Sequence, residues 1–83
     1  MIVKTYKYDY NICTVADEEI FRKQCIALEK NIPNLQKEQL LEDVDGSQTQ
    51  IYTLNSKEVT VHNSYYIGAV YVQSEVELTQ YFK

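Results

Sequence analysis

The spacing of apolar residues changes from two to about four positions near Thr14, and this change predicts a strand followed by a helix. Within Ile2–Cys13, every second residue from position 6 onward is aromatic or aliphatic: Tyr6, Tyr8, Tyr10 and Ile12. A strand with one buried face shows this alternation. A chain that joins the two periods in this order predicts a domain with both sheet and helix.

The helix is expected to begin just after Thr14, where two signals coincide. Thr14 and Asp17 form a Thr-x-x-Asp start signal, and three consecutive acids place negative charge in the first turn. The residues that follow have apolar side chains at spacings of four, three and four, which form one stripe on a helix: Phe21, Cys25, Leu28 and Ile32.

Pro33 predicts the end of this helix. A proline disfavours helical geometry in the residue before it and donates no amide hydrogen bond. We therefore expect the helix to end near Lys30 or Asn31, with Asn31 as a left-handed cap.

The segment Asn34–Leu41 has two interpretations. Its residues favour a helix by propensity, but Asp45-Gly46 downstream is a strong hairpin signal. We expect a short turn or helical piece at 34–38, then a strand at Leu40–Val44. After the Asp-Gly turn, a second strand is expected at Gln48–Leu54.

Three more elements are expected in the second half of the chain. Asn55-Ser56 predicts a turn that leads into a strand at Glu58–His62. Tyr65–Gln73 is apolar on both faces, which is typical of a central strand, and its Gly68 indicates a bulge or a close approach of another backbone. A capping box at Ser74–Glu77 predicts a short helix from Val76 to Phe82.

These elements predict an α+β fold in a single domain spanning residues 1–83. The sheet is expected to be antiparallel with about four to five strands, one long helix on one face and a short C-terminal helix, in the order β-α-β-β-β-β-α. A chain of 83 residues has room for one core only.

Charge and hydropathy exclude several classes of partner. The formal charge is −4 and the basic residues are scattered, which argues against nucleic acid and anionic membranes. The longest apolar stretch, around Ile67–Val72, is far shorter than the roughly 20 residues that span a bilayer. The N-terminus carries no secretory pattern, so we expect a cytoplasmic protein.

No residue pattern predicts catalysis, a metal site or a cofactor. His62 is the single histidine and has no neighbouring nucleophile or ligand set. The acids around Asp45 place Gly46 fourth, where a calcium loop needs glycine sixth, so they are expected to form a hairpin turn. Cys13 and Cys25 are expected to lie roughly 15 Å apart, given a helical rise of 1.5 Å per residue, and to remain reduced.

Eight tyrosines and no tryptophan are the most unusual feature of the composition. Tyrosine suits recognition surfaces because it offers a large contact area and a hydroxyl that tolerates water. The expected partner-binding residues are Tyr6, Tyr8, Tyr10, Tyr65, Tyr66 and Tyr71. The alternative for the first three is that they lie under the helix as core.

We therefore expect a small non-catalytic protein-binding module. The size and charge are those of inhibitor and immunity-type partner proteins, and a homodimer would cover any apolar sheet face that the helix leaves free. The alternative is a small-ligand binder or enzyme with a pocket at the sheet–helix junction near His62. Single-stranded nucleic acid stacking on the tyrosines is disfavoured, because Lys4 and Lys7 are the only basic residues beside the tyrosine strand.

Overall fold

The structure is a computed structural model that describes residues 7–81, and it confirms the predicted α+β class and order of elements. One helix and five strands are followed by a single 3₁₀ turn at Thr79–Tyr81. Their bounds are β1 Tyr8–Cys13, α1 Glu18–Asn31, β2 Gln36–Glu42, β3 Gln48–Leu54, β4 Lys57–Ser64 and β5 Ala69–Ser74.

The five strands form one antiparallel sheet in the order β1-β5-β4-β3-β2. Strand β5 lies between β1 and β4, so within residues 7–81 the first strand pairs with the last. Helix α1 packs on one side of the sheet, here called the helix side; the other is the open side. Residues directly opposite each other in an antiparallel pair point to the same side, so the register assigns every paired residue to one side.

The hydrophobic core lies between α1 and the helix side of the sheet. Leu28 of the helix is 1% exposed, and the sheet meets it with a fully buried aliphatic layer: Val59, Val61, Val70 and Val72. Three residues of the predicted stripe lie in α1 and are buried, which confirms the helical spacing: Phe21, Cys25 and Leu28. The fourth, Ile32, is buried just after the helix ends and has an extended backbone.

The predicted start just after Thr14 is wrong by three residues, because Asp17 and not Thr14 caps α1, which begins at Glu18. The carboxylate of Asp17 accepts hydrogen bonds from the backbone amides of Glu19 and Ile20 at 2.8 and 3.2 Å. The helix ends at Asn31, as Pro33 predicts. Asn31, however, is helical, and the left-handed residue is Asn34, with φ 66°.

Strand β2 begins at Gln36 and ends at Glu42, earlier at both ends than the predicted Leu40–Val44, and Val44 lies in the turn. A turn or helical piece over 34–38 is therefore wrong for most of that range. The pairing of Leu40 with Gln50 confirms the hairpin across Asp45-Gly46. A bulge interrupts β2 before Leu40, and the buried amide of Gln50 donates to the carbonyl oxygens of Glu38 and Gln39, at 2.9 and 3.4 Å. Pairing with β3 therefore overrides the helical propensity of this segment.

The predicted strand Tyr65–Gln73 is corrected to a turn followed by β5. Strand β4 runs on to Ser64, residues 65–68 form the turn, and β5 starts at Ala69. Gly68 has φ 76° and its amide donates to the Ser64 carbonyl, so it closes the turn and forms no bulge. Strand β5 lies between two other strands and is apolar on both faces as predicted, with Val70 and Val72 on the helix side and Ala69 and Tyr71 on the open side, whereas the apolar residues 65–67 belong to the turn.

The C-terminal helix is a single 3₁₀ turn, shorter than the predicted Val76–Phe82, and Phe82 lies outside the described residues. The Ser74 hydroxyl bonds both the amide and the carbonyl of Val76. The carboxylate of Glu75 accepts the backbone amide of Glu58. The capping-box residues thus tie the chain end to β4 instead of starting an α-helix.

Both cysteines are free, as predicted, with Cys25 buried and Cys13 half-buried. Within residues 7–81 no helix is long and apolar enough to cross a membrane.

Candidate functional site

The first three predicted tyrosines do not form an exposed ladder in the described part of the chain. Tyr6 lies outside the described residues. Tyr8 and Tyr10 are half-buried on the helix side. The hydroxyl of Tyr10 accepts the backbone amide of Leu78 at 2.8 Å, and its ring packs against the core. Tyr10 therefore serves the alternative role, as part of the core beside the helix.

Tyr71 lies on the open side, apart from the tyrosines of β1. Its ring stacks on that of His62, with centroids 4.6 Å apart and planes 15° from parallel. Burial, and then the charge of Asp9, raises the pKa of Tyr71. The phenol is therefore neutral at physiological pH and offers a ring face and a hydroxyl.

Tyr65 and Tyr66 meet other apolar residues at one end of the sheet, where the β2–β3 and β4–β5 turns lie side by side. Tyr66 is 92% exposed and Ile67 is 64% exposed. We call this surface the turn patch and define it by four residues: Val44, Tyr65, Tyr66 and Ile67.

Hydrogen bonds hold the turn patch in place. The Tyr65 amide donates to the Ser47 hydroxyl at 2.9 Å, which joins the two turns, and the Ile67 amide donates to the Ser64 hydroxyl at 3.1 Å. The Tyr65 ring also lies against Gly46, where a Cβ atom would come within 3.4 Å of it. The exposed side chains therefore project from an ordered turn.

Acidic groups border the turn patch. Asp45 accepts the Ser47 amide at 2.9 Å, and this backbone hydrogen bond lowers the pKa of its carboxyl. The Gly46 amide donates to the Asp43 carbonyl, so these acids form the predicted hairpin turn. Among residues 7–81 there is no group of three or more metal-binding side chains.

His62 is held by its neighbours on the open side. Its two ring nitrogens contact the hydroxyls of Thr49 and Thr60 at 3.1 and 2.8 Å. Burial lowers the pKa of the imidazole, although the charge of Asp9 acts in the opposite direction. A neutral ring with both nitrogens engaged by hydroxyls is suited to a structural role.

A shallow cleft runs along the open side between β1 and β5. Its volume is about 360 Å³ and we call it the open-side cleft; His62 does not line it. The cleft is lined by one acid, two amides, one aromatic ring and two aliphatic side chains: Asp9, Asn11, Ile67, Ala69, Tyr71 and Gln73.

A second cleft, of about 290 Å³, lies on the helix side between α1 and β2–β3. Phe21, Cys25, Ile26 and Leu40 supply most of its apolar lining. Burial raises the pKa of the Cys25 thiol, which keeps it protonated. At its border the Tyr52 hydroxyl donates to the Glu29 carboxylate at 2.5 Å, and Lys37 reaches the same carboxylate at 3.5 Å.

The clefts show what sequence patterns missed. Asp9 and Gln73 are 64 positions apart, and they become neighbours because β5 inserts beside β1. The cleft between α1 and β2–β3 depends on the position of β2, whose bounds the sequence did not predict correctly. Alternating apolar residues indicate which side of a strand is buried, but they do not indicate which strands are adjacent.

Comparison with known proteins finds no matching family model and no match among the curated proteins or the solved structures.

Proposed function

We propose that this chain is a small non-catalytic protein-binding module that contacts its partner through the turn patch. The observation that supports this most is the exposure of Tyr65, Tyr66 and Ile67, three consecutive large apolar residues. Clusters of this kind on a folded surface are typical of interaction sites. Tyrosine in particular is enriched among the residues that dominate binding energy at interfaces.

The order of the turn favours binding. A partner that docks on a loop must also supply the free energy lost when that loop becomes ordered. Here the backbone of the turn is already bonded to Ser47 and Ser64. The free energy gained by burying the tyrosine rings is therefore available for affinity.

A different protein fits the turn patch better than a second copy of this chain. In a twofold dimer the same patch meets itself, which would bring Asp43 and Asp45 of one copy near those of the other. The apolar residues at paired positions of the open side are few: Leu41, Ile51, Ala69 and Tyr71. The paired positions of this side are mostly polar: Asp9, Asn11, Gln36, Thr49, Thr53, Glu58, Thr60, His62, Ser64 and Gln73.

The alternative function, a ligand-binding or enzyme pocket at the sheet–helix junction near His62, has less support, because His62 lies on the open side and not on the side that α1 covers. The imidazole packs flat against Tyr71 and both of its nitrogens are bonded to threonines. A general base needs a free nitrogen within reach of substrate.

Photo-crosslinking tests the proposed function. Benzoylphenylalanine placed at position 66 should form a discrete adduct with one partner in extracts of the source cells. The same group at Lys30, an exposed helix position, is the matched control and should not form that adduct. Replacing Tyr65 and Ile67 by serine in the position-66 variant should abolish the adduct.

Two results would contradict the proposal. One is equal crosslinking from positions 66 and 30, and the other is no discrete adduct from either. Sedimentation velocity at tens of micromolar should give a monomer, and a stable dimer that Tyr66→Ser dissociates would replace the hetero-partner with a second copy.

A further inference from the structure

The two sides of the sheet differ in charge. Among the described residues, the open side carries Asp9 and Glu58 at paired positions, and Glu38 joins them by accepting a hydrogen bond from Thr53. No lysine or arginine of residues 7–81 occupies a paired position on this side. The open side therefore attracts positive charge.

Most of the basic residues of the described chain are placed elsewhere. Arg22, Lys23 and Lys30 belong to α1, and Lys37 pairs with Glu29 on the helix side. Lys57 pairs with Leu54, which is buried. The ammonium of Lys7 lies over the Tyr8 ring, 5.6 Å from its centroid.

The open-side cleft combines groups that suit a flat cation. Asp9 is exposed, and one of its oxygens accepts from the Gln73 amide at 3.4 Å. Asn11 adds an amide on the same strand, and Tyr71 presents a ring that His62 supports from one face. A guanidinium has five donors in a plane and stacks on aromatic rings, so it uses a carboxylate, amide oxygens and a ring face together. An ammonium group presents no such plane.

The cleft is continuous with the turn patch. Ile67 belongs to both, since it is one of the four exposed residues of the patch and also lines the cleft. One docked protein segment can therefore cover the turn patch and reach Asp9.

We infer that the open-side cleft receives an arginine side chain of the protein partner that docks on the turn patch. The inference rests on the proposed function and adds the chemistry of the partner: an arginine close in space to an apolar contact. The guanidinium lies between the Asp9 carboxylate and the Tyr71 ring, and the Asn11 and Gln73 amides complete its hydrogen bonds.

A peptide titration followed by ¹⁵N NMR tests this inference without the natural partner. The probe is the blocked tripeptide Gly-Arg-Gly, and its matched control is Gly-citrulline-Gly, which keeps the shape and removes the charge. The arginine peptide should give saturable shifts at Asn11, Tyr71 and Gln73, with a dissociation constant on the order of millimolar, as expected for one desolvated side chain. The citrulline peptide should bind at least about tenfold more weakly.

Two variants separate local contact from overall charge. Asp9→Asn and Asp45→Asn each remove one negative charge, and both residues are exposed. Asp9→Asn should weaken binding of the arginine peptide about fivefold or more. Asp45→Asn should change the affinity for this peptide by no more than about twofold. Asn11→Ala provides a second variant of the cleft and should weaken binding of the arginine peptide about threefold or more.

Three outcomes would overturn the inference: equal binding of the citrulline peptide, equal effects of Asp9→Asn and Asp45→Asn, or spermidine binding that matches the arginine peptide at the same residues. The last would indicate general attraction of polycations. If position 66 crosslinks a partner but the arginine peptide does not bind, the proposed docking function is kept and the arginine site is rejected. If the arginine peptide binds but position 66 forms no crosslink, the proposed docking function is rejected instead.

Discussion

Asn63 and Asp17 are joined by a hydrogen bond that links the central strand to the start of the helix. The side-chain oxygen of Asn63 accepts the backbone amide of Asp17 at 3.0 Å, across 46 positions of sequence. Asn63 is fully buried, and its amide nitrogen reaches Gln48 at 3.4 Å. One buried amide thus ties β4 to the cap of α1 and to β3.

Asn63→Ala should destabilise the fold by about 1–3 kcal/mol, because it leaves a backbone amide and a glutamine side chain without their partner. Urea unfolding followed by circular dichroism measures the loss. Asn11→Ala, the same change at an exposed position, should stay within about 0.5 kcal/mol. Equal effects of the two changes would show that the Asn63 hydrogen bonds contribute nothing to stability.

Asp17→Ala should cost about 0.5–2 kcal/mol, since it removes the carboxylate that accepts the Glu19 and Ile20 amides. Asp17→Ser is the matched variant, because a hydroxyl can accept the same bonds, and it should recover most of the loss. Thermal and urea unfolding of the two proteins distinguish them. A serine variant no more stable than the alanine variant would argue against capping at this position.

Gly46→Ala and Gly68→Ala should differ although both glycines have positive φ. Alanine in the left-handed region costs about 1–2 kcal/mol by itself. No neighbouring atom lies within 4 Å of the position that a Cβ atom would take at Gly68. The destabilisation by Gly68→Ala should therefore stay at about 1–2 kcal/mol. Gly46 lies against the Tyr65 ring, so its substitution should also shift the aromatic resonances of Tyr65, which NMR detects. An unchanged Tyr65 spectrum in Gly46→Ala would mean that the two turns do not pack together.

Stability should fall as the pH is lowered from 7.5 to 5.5, in part because of His62. Burial lowers the folded-state pKa of its imidazole, so the unfolded chain binds the proton more readily and gains population as pH drops below the ordinary histidine pKa of about 6.5. The contribution of His62 is therefore fully present above that pH and lost below it. Unfolding of wild type and His62→Gln at the two pH values should show a smaller pH dependence in the variant. Identical pH dependence in both would exclude a role for His62.

Local sequence signals predicted the elements in which one face is buried. Strand β3 occupies the predicted Gln48–Leu54, and α1 ends at Asn31 because of Pro33. The Asn55-Ser56 turn forms with both residues at positive φ. In each case the residues that determine the conformation are adjacent in sequence.

Strand β2 and the β4–β5 turn were not predictable by the same logic. All seven residues of β2 are exposed, so no alternation marks it as a strand, and it exists because β3 pairs with it. Residues 65–67 show the reverse case. They are apolar and the sequence predicts a strand there, but they are exposed in a turn. Hydrophobicity indicates burial only where the fold supplies something to pack against.

The open-side cleft depends on strand order, which no local pattern encodes. Tyr71 was a predicted binding residue, but its neighbours Asp9 and Asn11 come from the other end of the chain. The sequence predicts that Tyr66 lies in a strand, but Tyr66 lies in a turn. The residue types that suit recognition were visible in the sequence, whereas their grouping was not.

The insertion of β5 beside β1 has a consequence for how the polypeptide acquires its shape during synthesis. Strands β2, β3 and β4 pair with their immediate successors and can assemble from nearby segments as they leave the ribosome. Among the five described strands, Tyr8–Cys13 comes first in sequence and pairs with Ala69–Ser74, which comes last. The pairing of these two strands can therefore form only after β2, β3 and β4 have been synthesised.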